Sequence, residues 1–407
     1  MRRQRPIQGA FAFMGSDQFL MQTYTRLPIG FDHGQGSWLW DTHGNKYLDA
    51  VSGIAVVLLG HAHPEFVAAI SDQAGKLVHT SNLFQVPLQA ELGERLCAVT
   101  GMERAFFGNS GAEANEAAIK LARRVGHVRG METPSIIVTD GAFHGRTMAT
   151  LTATGNRKVH AGFEPLVGGF KRIPYDDLEA LANVGKHRDE VIAVLVEPIQ
   201  GENGVVIPKP GYLRGLREIC DALGWLLMLD EIQTGMGRTG KWFAFQHEDI
   251  QPDVITLAKS LGNGVPIGAC LARGAAAEAL VPGSHGSTFG GNPLACRAAL
   301  TVLDCVDKDN LVAHAAELGA YIVAQLEHRI GALPIVAAVR GSGLMIGVEL
   351  HRACSEIVNL AMEAGVLVNV TNERIIRLLP PLNLTQSEAD ILVDAVASSI
   401  SEFAQSP

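Results

Sequence analysis

The stretch WLLMLDEIQTGMGRTGKWFAFQHEDIQPDVITLAKSLGNG, residues 225–264, decides how the rest of the chain is read. Trp225 to Leu229 form a short apolar run bounded by glycine and acid, which predicts a buried strand ending on the carboxylate of Asp230. A second run, Val254 to Ala258, ends on Lys259 and a Ser-Leu-Gly-Asn-Gly loop. An open α/β sheet places its ligand crevice at the C-terminal ends of such strands. A lysine there loses solvent, which favours its neutral amine and suits Schiff-base chemistry. An opposing carboxylate could pair with a protonated ring nitrogen, as a pyridoxal phosphate (PLP) site requires. On spacing alone, a salt bridge between two strand-end residues explains the same pattern.

Working outward, residues 100–290 alternate short β-type runs with helical stretches. Ala105 to Phe107, Ile136 to Val138, Val191 to Val196, Leu226 to Leu229 and Val254 to Ile255 are the strand candidates, separated by helices such as Ala112 to Arg124 and Tyr212 to Leu223. This predicts an α/β fold with a mostly parallel central sheet covered by helices. Upstream, Trp38 to Trp40 and Lys46 to Leu48 flank turn residues and predict a hairpin, and Pro64 opens a helix. Downstream, helices at Pro293 to Asp304, Asn310 to His328 and Ser387 to Phe403 enclose a few strands, which predicts a smaller α+β domain. The expected division is an N-terminal segment (1–60) packing with the small domain, a large domain (61–290) and the small C-terminal domain (291–407).

With 407 residues, 47% of them hydrophobic and 18% charged, the chain has material for a large core and no extensive disorder. A net charge of -9 argues against nucleic acid or an anionic membrane as partner. The six cysteines form no C-x-x-C pair, so reduced, buried thiols in the cytoplasm are expected. The N-terminus, MRRQRPIQGAFAFMGSDQFL, opens basic but lacks a sustained apolar core and is expected to be an exposed tail. No run approaches the roughly 18 to 20 apolar residues of a membrane span. His61 and His63 have no third ligand at metal spacing and are expected to be hydrogen-bonded loop residues.

Several motifs could carry chemistry. In FFGNSGAEANEAAIKLARR, Ser110, Gly111 and Ala112 fall on a helix N-terminus, a site for phosphate or simply a capped helix. IIVTDGAFHGRT ends a strand in a loop whose Phe143 and Arg146 could stack on a planar ring and grip a carboxylate. VLVEPIQGENGV places Glu197 and Glu202 on one loop, too close in sequence for a glycosidase pair and better suited to a switchable ion pair. Gly235-Met-Gly-Arg-Thr-Gly240 is a literal G-x-G-x-x-G, but no helix or ribose-binding acid follows it, so it does not indicate a dinucleotide site. HGSTFGGNP offers Ser287 and Thr288 as hydroxyl donors. Arg377 lies in an apolar run, costly there unless paired or held for an anion.

Together the stretches GIAVVLLGHAHP, FFGNSGAEANEAAIKLAR, AFHGRTMATL, EPIQGENGV, DEIQTGMGRTG, LAKSLGNGVPIGA and GSTFGGNPLACRAAL resemble the class III (subgroup II) PLP-dependent aminotransferases over residues 24–382. That resemblance implies the fold-type-I PLP transferase architecture and a homodimer with shared active sites. Lys259 would bind PLP through its amine and move the proton, Asp230 would hold the ring nitrogen protonated, and Gln233 would bond the ring hydroxyl. Phe143 would cover the ring, and Ser110, Gly111 and Ala112 would hold the phosphate, joined by Thr288 of the other subunit. Among substrates it implies an amine donor such as N2-acetylornithine, with 2-oxoglutarate as acceptor. Arg146 and Ser287 would face the distant carboxylate and Arg377 the near one, with Glu202 closing on Arg377 in between. Succinylornithine, succinyldiaminopimelate, ornithine and 4-aminobutyrate are rival donors, and a PLP-free binding protein is the reading from a different class. The sequence departs from the family at Val57, Leu58, Gly108, Ser260 and Asn263, none with a proposed catalytic role.

Overall fold

In the computed structural model, which describes residues 19–186 and 190–405, the apolar runs line up as one seven-stranded sheet. Its order is Arg104–Gly108, Gly268–Ala272, Val254–Leu257, Leu226–Asp230, Val191–Val196, Ser135–Thr139 and Phe170–Ile173. Neighbours are parallel except at Gly268–Ala272, which runs antiparallel to both its partners. The continuous hydrophobicity of the inner strands follows from burial on both faces. Val194, Val196, Leu227, Leu229, Ile255 and Leu257 enter one core, while Ile192, Leu195, Leu226, Met228 and Val254 enter the other.

Helix Gly111–Val128 covers the second face with Ala117, Ala118, Leu121, Ala122 and Val125. Ser110 caps it, the hydroxyl accepting from Glu113 N at 3.2 Å. Helix Tyr212–Leu223, found at the expected residues, supplies Leu213, Leu216 and Cys220 to the first face. The two strands of this sheet absent from the sequence reading are Phe170–Ile173, at the sheet edge, and Gly268–Ala272, whose sequence GACLA has little β propensity. Small residues are needed there: a Cβ on Gly268 would lie 2.2 Å from Ser110 O, at the start of the helix packed above.

Two four-stranded sheets flank this unit. The hairpin Trp38–Asp41/Lys46–Asp49 gains Phe31–Gln35 on one side and, in parallel, Val366–Leu367 from the far end of the chain. The other sheet, Val336–Ser342, Met345–Leu350, Ile375–Leu378 and Asn369–Thr371, is antiparallel throughout and carries Arg377. Helices Pro293–Lys308, Leu311–Ile330 and Gln386–Gln405 are close to the expected spans. The large mixed sheet with a smaller α+β domain agrees with the sequence expectation. Among the described residues no helix is long and apolar enough to cross a membrane. The exposed tail expected at the N-terminus falls mainly on residues 1–18, outside the described residues.

Candidate active site

Asp230 is the last residue of its strand, and Lys259 lies two residues beyond the neighbouring one. Both face a cavity of about 400 Å³ at the C-terminal ends of the strands. Ser110, Gly111, Ala112, Phe143, Arg146 and Gln233 line the same cavity, so motifs spread over 150 residues of sequence converge. Glu202 lines an adjoining polar hollow of about 830 Å³ that also touches Phe143 and Arg146. Arg377 reaches the cavity through Gln233, whose Oε1 accepts from Arg377 Nη1 at 3.3 Å. Ser287 sits in a separate hollow beside Phe106 and His285, linked to the cavity by Asn109 Nδ2, which donates to its Oγ at 3.2 Å. Thr288 is exposed and does not line the cavity of its own chain.

Burial sets the chemistry of the lysine. Desolvation lowers the Lys259 pKa below its ordinary value of 10.5; Glu202, Asp230 and Glu197 pull it back up, and Arg377 adds to the lowering. The net effect makes a neutral amine more accessible than on a surface lysine. Its backbone has φ +44°, a left-handed conformation that disfavours side chains with a Cβ. The turn is tied down from the N-terminal region: Ser260 Oγ donates to Ala55 O at 2.6 Å, and Asn263 Oδ1 accepts from Leu59 N at 2.8 Å. Two of the departures from the family pattern therefore brace the turn that carries Lys259.

Asp230 is held by three donors. Its Oδ2 accepts from Asn115 Nδ2 at 2.7 Å and pairs with His144 Nδ1 at 2.8 Å, while Oδ1 accepts from Ile232 N at 3.1 Å. Thr256 Oγ1 in turn donates to Asn115 Oδ1 at 2.8 Å, fixing which way that amide points. His144 Nε2 is buried without a partner among the described residues. Sequence reading assigned no role to Asn115, His144 or Thr256. The available signal was polarity in apolar company: an asparagine on an alanine-lined helix face and a threonine in VITLA must find buried partners.

Glu202 and Arg377 stand as an ion pair. Arg377, fully buried, donates to Glu202 Oε1 at 2.7 Å and to Gly201 O at 3.0 Å. Burial would raise the Glu202 pKa, but Arg377 and then Lys259 and Gln233 outweigh it and keep it below the usual value. Glu197 behaves differently from the ion-pair partner envisaged on that loop. It accepts from Phe143 N at 2.8 Å and Gly201 N at 3.2 Å, and burial beside Asp230 pushes its pKa up to about 8. It clamps the Phe143 loop to the Glu202 loop. A Cβ on Gly201 would fall 2.0 Å from Gln233 Oε1, so a larger residue there would push the Gln233 amide aside.

Of the two loop histidines, His61 bonds Asp49 Oδ2 at 2.8 Å as expected, whereas His63 Nδ1, beside the helix it precedes, is buried with no partner among the described residues. Among the described residues no cluster of three or more side chains could hold a metal ion.

Such a buried lysine, an opposed carboxylate and a helix N-terminus on one parallel-sheet crevice define the PLP-dependent transferases of fold type I. The class-III aminotransferase family model matches residues 20–400, and the chain belongs to that family of PLP-dependent enzymes. It is similar to the acetylornithine aminotransferase of Nitrosomonas europaea, 57% identical over 387 residues that cover 95% of this chain and 98% of the relative. Among solved structures it is similar to the ornithine aminotransferase of Toxoplasma gondii, in a structure described as showing partial occupancy of PLP at the active site. The TM-score is 0.93 at 35% identity, covering 97% of this chain and 96% of that one. The acetylornithine aminotransferase of Elizabethkingia anophelis matches with TM-score 0.87 and 36% identity over 97% and 100% of the two chains.

Proposed function

We propose that this chain transfers the terminal amino group of N2-acetylornithine to 2-oxoglutarate, giving N-acetylglutamate 5-semialdehyde and glutamate, a step of arginine biosynthesis. The observation that carries this reading is the Arg377–Glu202 pair at 2.7 Å, with a second, exposed guanidinium, Arg146, lining the cavity. Two guanidiniums, one of them neutralised on demand, suit two substrates that place their carboxylates differently. Acetylornithine reacts at its terminal amine, so its carboxylate lies far from the reacting atom, within reach of Arg146. Glutamate reacts beside its α-carboxylate, which needs Arg377 released from Glu202, while Arg146 takes the second carboxylate.

The residues present fit PLP. Gly111 N and Ala112 N precede the first intrahelical bond, Ala114 N to Ser110 O, and have no acceptor among the described residues, so they remain for a phosphate. Lys259 would hold the cofactor by its amine, Asp230 would face the ring nitrogen, Gln233 the ring hydroxyl and Phe143 the ring face. The bound cofactor supplies an electron sink for the carbanion left when the substrate proton departs. Lys259 is the base placed to take that proton and return it. Phe143, Ile232 and Val265 wall the cavity against water, and Arg146 caps the Phe143 ring with its guanidinium 5.2 Å from the centroid. Leu83, Phe84 and Phe289 are exposed apolar side chains near Thr288, the composition of a covered surface. They support a homodimer in which Thr288 completes the phosphate site of the other subunit.

A panel of donors with 2-oxoglutarate tests the substrate. The kcat/KM for acetylornithine is expected to exceed those for succinylornithine, ornithine and 4-aminobutyrate; a higher value for any of these reassigns the donor. Glu202→Ala tests the switch. Removing one side of a buried ion pair costs about 3–5 kcal/mol. Glu202 is one-third exposed, so a smaller penalty is expected, about 1.4 kcal/mol or more, which is tenfold. The loss should fall on the acetylornithine half-reaction, where Arg377 has no carboxylate of its own. Single-turnover rates with each substrate would show it, and equal losses in both halves would refute the switch.

A further inference from the structure

Arg238 is fully buried, yet among the described residues it forms no ion pair with a carboxylate. Its Nε and Nη2 have no hydrogen-bond partner among the described residues, and burial pushes its pKa down to about 9. An apolar side chain of similar volume would fill the space without the cost of burying charge. What it would not do is join two carbonyls.

Those carbonyls lie just beyond the ends of the strand pair that carries Arg377. In the antiparallel pair Met345–Leu350/Ile375–Leu378, Gly347 lies opposite Arg377 and Ile346 opposite Leu378. Continuing that register by two residues sets Leu344 against Pro380. Pro380 has no N–H, so it cannot donate to the ladder. Arg238 Nη1 takes that place, donating to Leu344 O at 3.1 Å and to Pro380 O. Leu344 N donates back to Arg238 O at 2.9 Å. The turn before it presses on the same backbone: Gly343 has φ +52°, and a Cβ there would fall 2.5 Å from Arg238 O.

Arg238 also lies five residues from Gln233, on the loop that follows Asp230. The loop and the strand pair are thus joined twice, by Gln233 to Arg377 inside the cavity and by Arg238 to Leu344 and Pro380 behind it. We propose that Arg238 is a positioning residue for substrate recognition: it closes the strand pair where proline interrupts the ladder and so sets where the Arg377 guanidinium stands against the loop carrying Gln233. This rests on the reading that Arg377 binds the carboxylate next to the reacting carbon.

The test compares Arg238→Met, Arg238→Lys and Arg377→Lys as PLP-loaded enzymes. Arg238→Met is expected to raise the KM for 2-oxoglutarate about tenfold, since a displacement well under 1 Å suffices for such a loss. The single-turnover rate with the terminal-amine donor should stay within about twofold, because in that half-reaction Arg377 is held by Glu202 and carries no substrate carboxylate, and Arg238→Lys should recover part of the shift. Equal slowing of both half-reactions by Arg238→Met would reduce Arg238 to a packing role and overturn the proposal, as would an unchanged KM. Should Arg238→Met not fold, Arg238→Lys is read alone: a KM about threefold higher supports the proposal and an unchanged one overturns it. If Arg377→Lys itself leaves the 2-oxoglutarate KM unchanged, the underlying assignment of Arg377 fails; if it raises the KM while the Arg238 variants do not, only the Arg238 proposal does.

Discussion

Replacing Lys259 with alanine is expected to lower kcat/KM by about 10⁴-fold or more and to end covalent retention of PLP. A positioned general base alone contributes about 10²–10⁴-fold, and this variant also removes the amine that would anchor the cofactor. The cavity would keep its other walls, because the turn at residues 259–262 is held by Ser260 to Ala55 and by Asn263 to Leu59 and not by the lysine side chain. Its left-handed φ of +44° would carry the same penalty with alanine, about 1–2 kcal/mol, so no large change in stability should accompany the loss. Borohydride treatment followed by mass analysis of the tryptic peptide checks the covalent claim, and a donor–acceptor assay checks the rate. A cofactor still fixed to this segment, or turnover within tenfold of the parent, would remove the basis for the proposed chemistry. A small added amine should restore part of the rate, since the pocket left by the side chain stays open to a base of the same type.

How far such a site can be read without coordinates depends on where each signal is stored. Asp230 and Lys259 were legible because each terminates an apolar run, and the sheet geometry turns a run's end into a place. Helix Tyr212–Leu223 was legible to the residue because glycines stand on either side of it, Gly211 and Gly224. Gly268–Ala272 was not, since close packing against the helix above selects glycine, alanine and cysteine, which erases the β signature. His144 and Asn115 were visible as polar residues, but which buried carboxylate they serve is set by packing between segments 86 and 115 positions apart. Glu197 and Glu202 look equivalent in sequence. Only the donors around them, two backbone amides for one and a guanidinium for the other, separate a loop clamp from an ion-pair partner.

Asp230 carries the other large effect: Asp230→Asn is expected to lower kcat by about 10²–10³-fold, the scale on which a single preorganised electrostatic contact acts. Asparagine matches the size of aspartate but cannot match its surroundings. Set with its oxygen toward Asn115 Nδ2 and His144 Nδ1, it turns an NH2 group toward Ile232 N; set the other way, it faces two donors with two more. Either orientation leaves a buried donor unpaired, at about 1–3 kcal/mol, a modest loss that a thermal melt would register. The larger effect is electrostatic, because a neutral side chain no longer stabilises a positive ring nitrogen, and the electron sink is lost. Stability loss and charge loss can be separated by loading the variant with a PLP analogue methylated on the ring nitrogen, which carries its positive charge permanently. That analogue should restore a substantial part of kcat in Asp230→Asn while leaving its melting temperature low. If it restores nothing, or if the variant loaded with ordinary PLP turns over within tenfold of the parent, Asp230 is not the partner of the ring nitrogen. Its three donors would then serve only to stabilise a buried carboxylate.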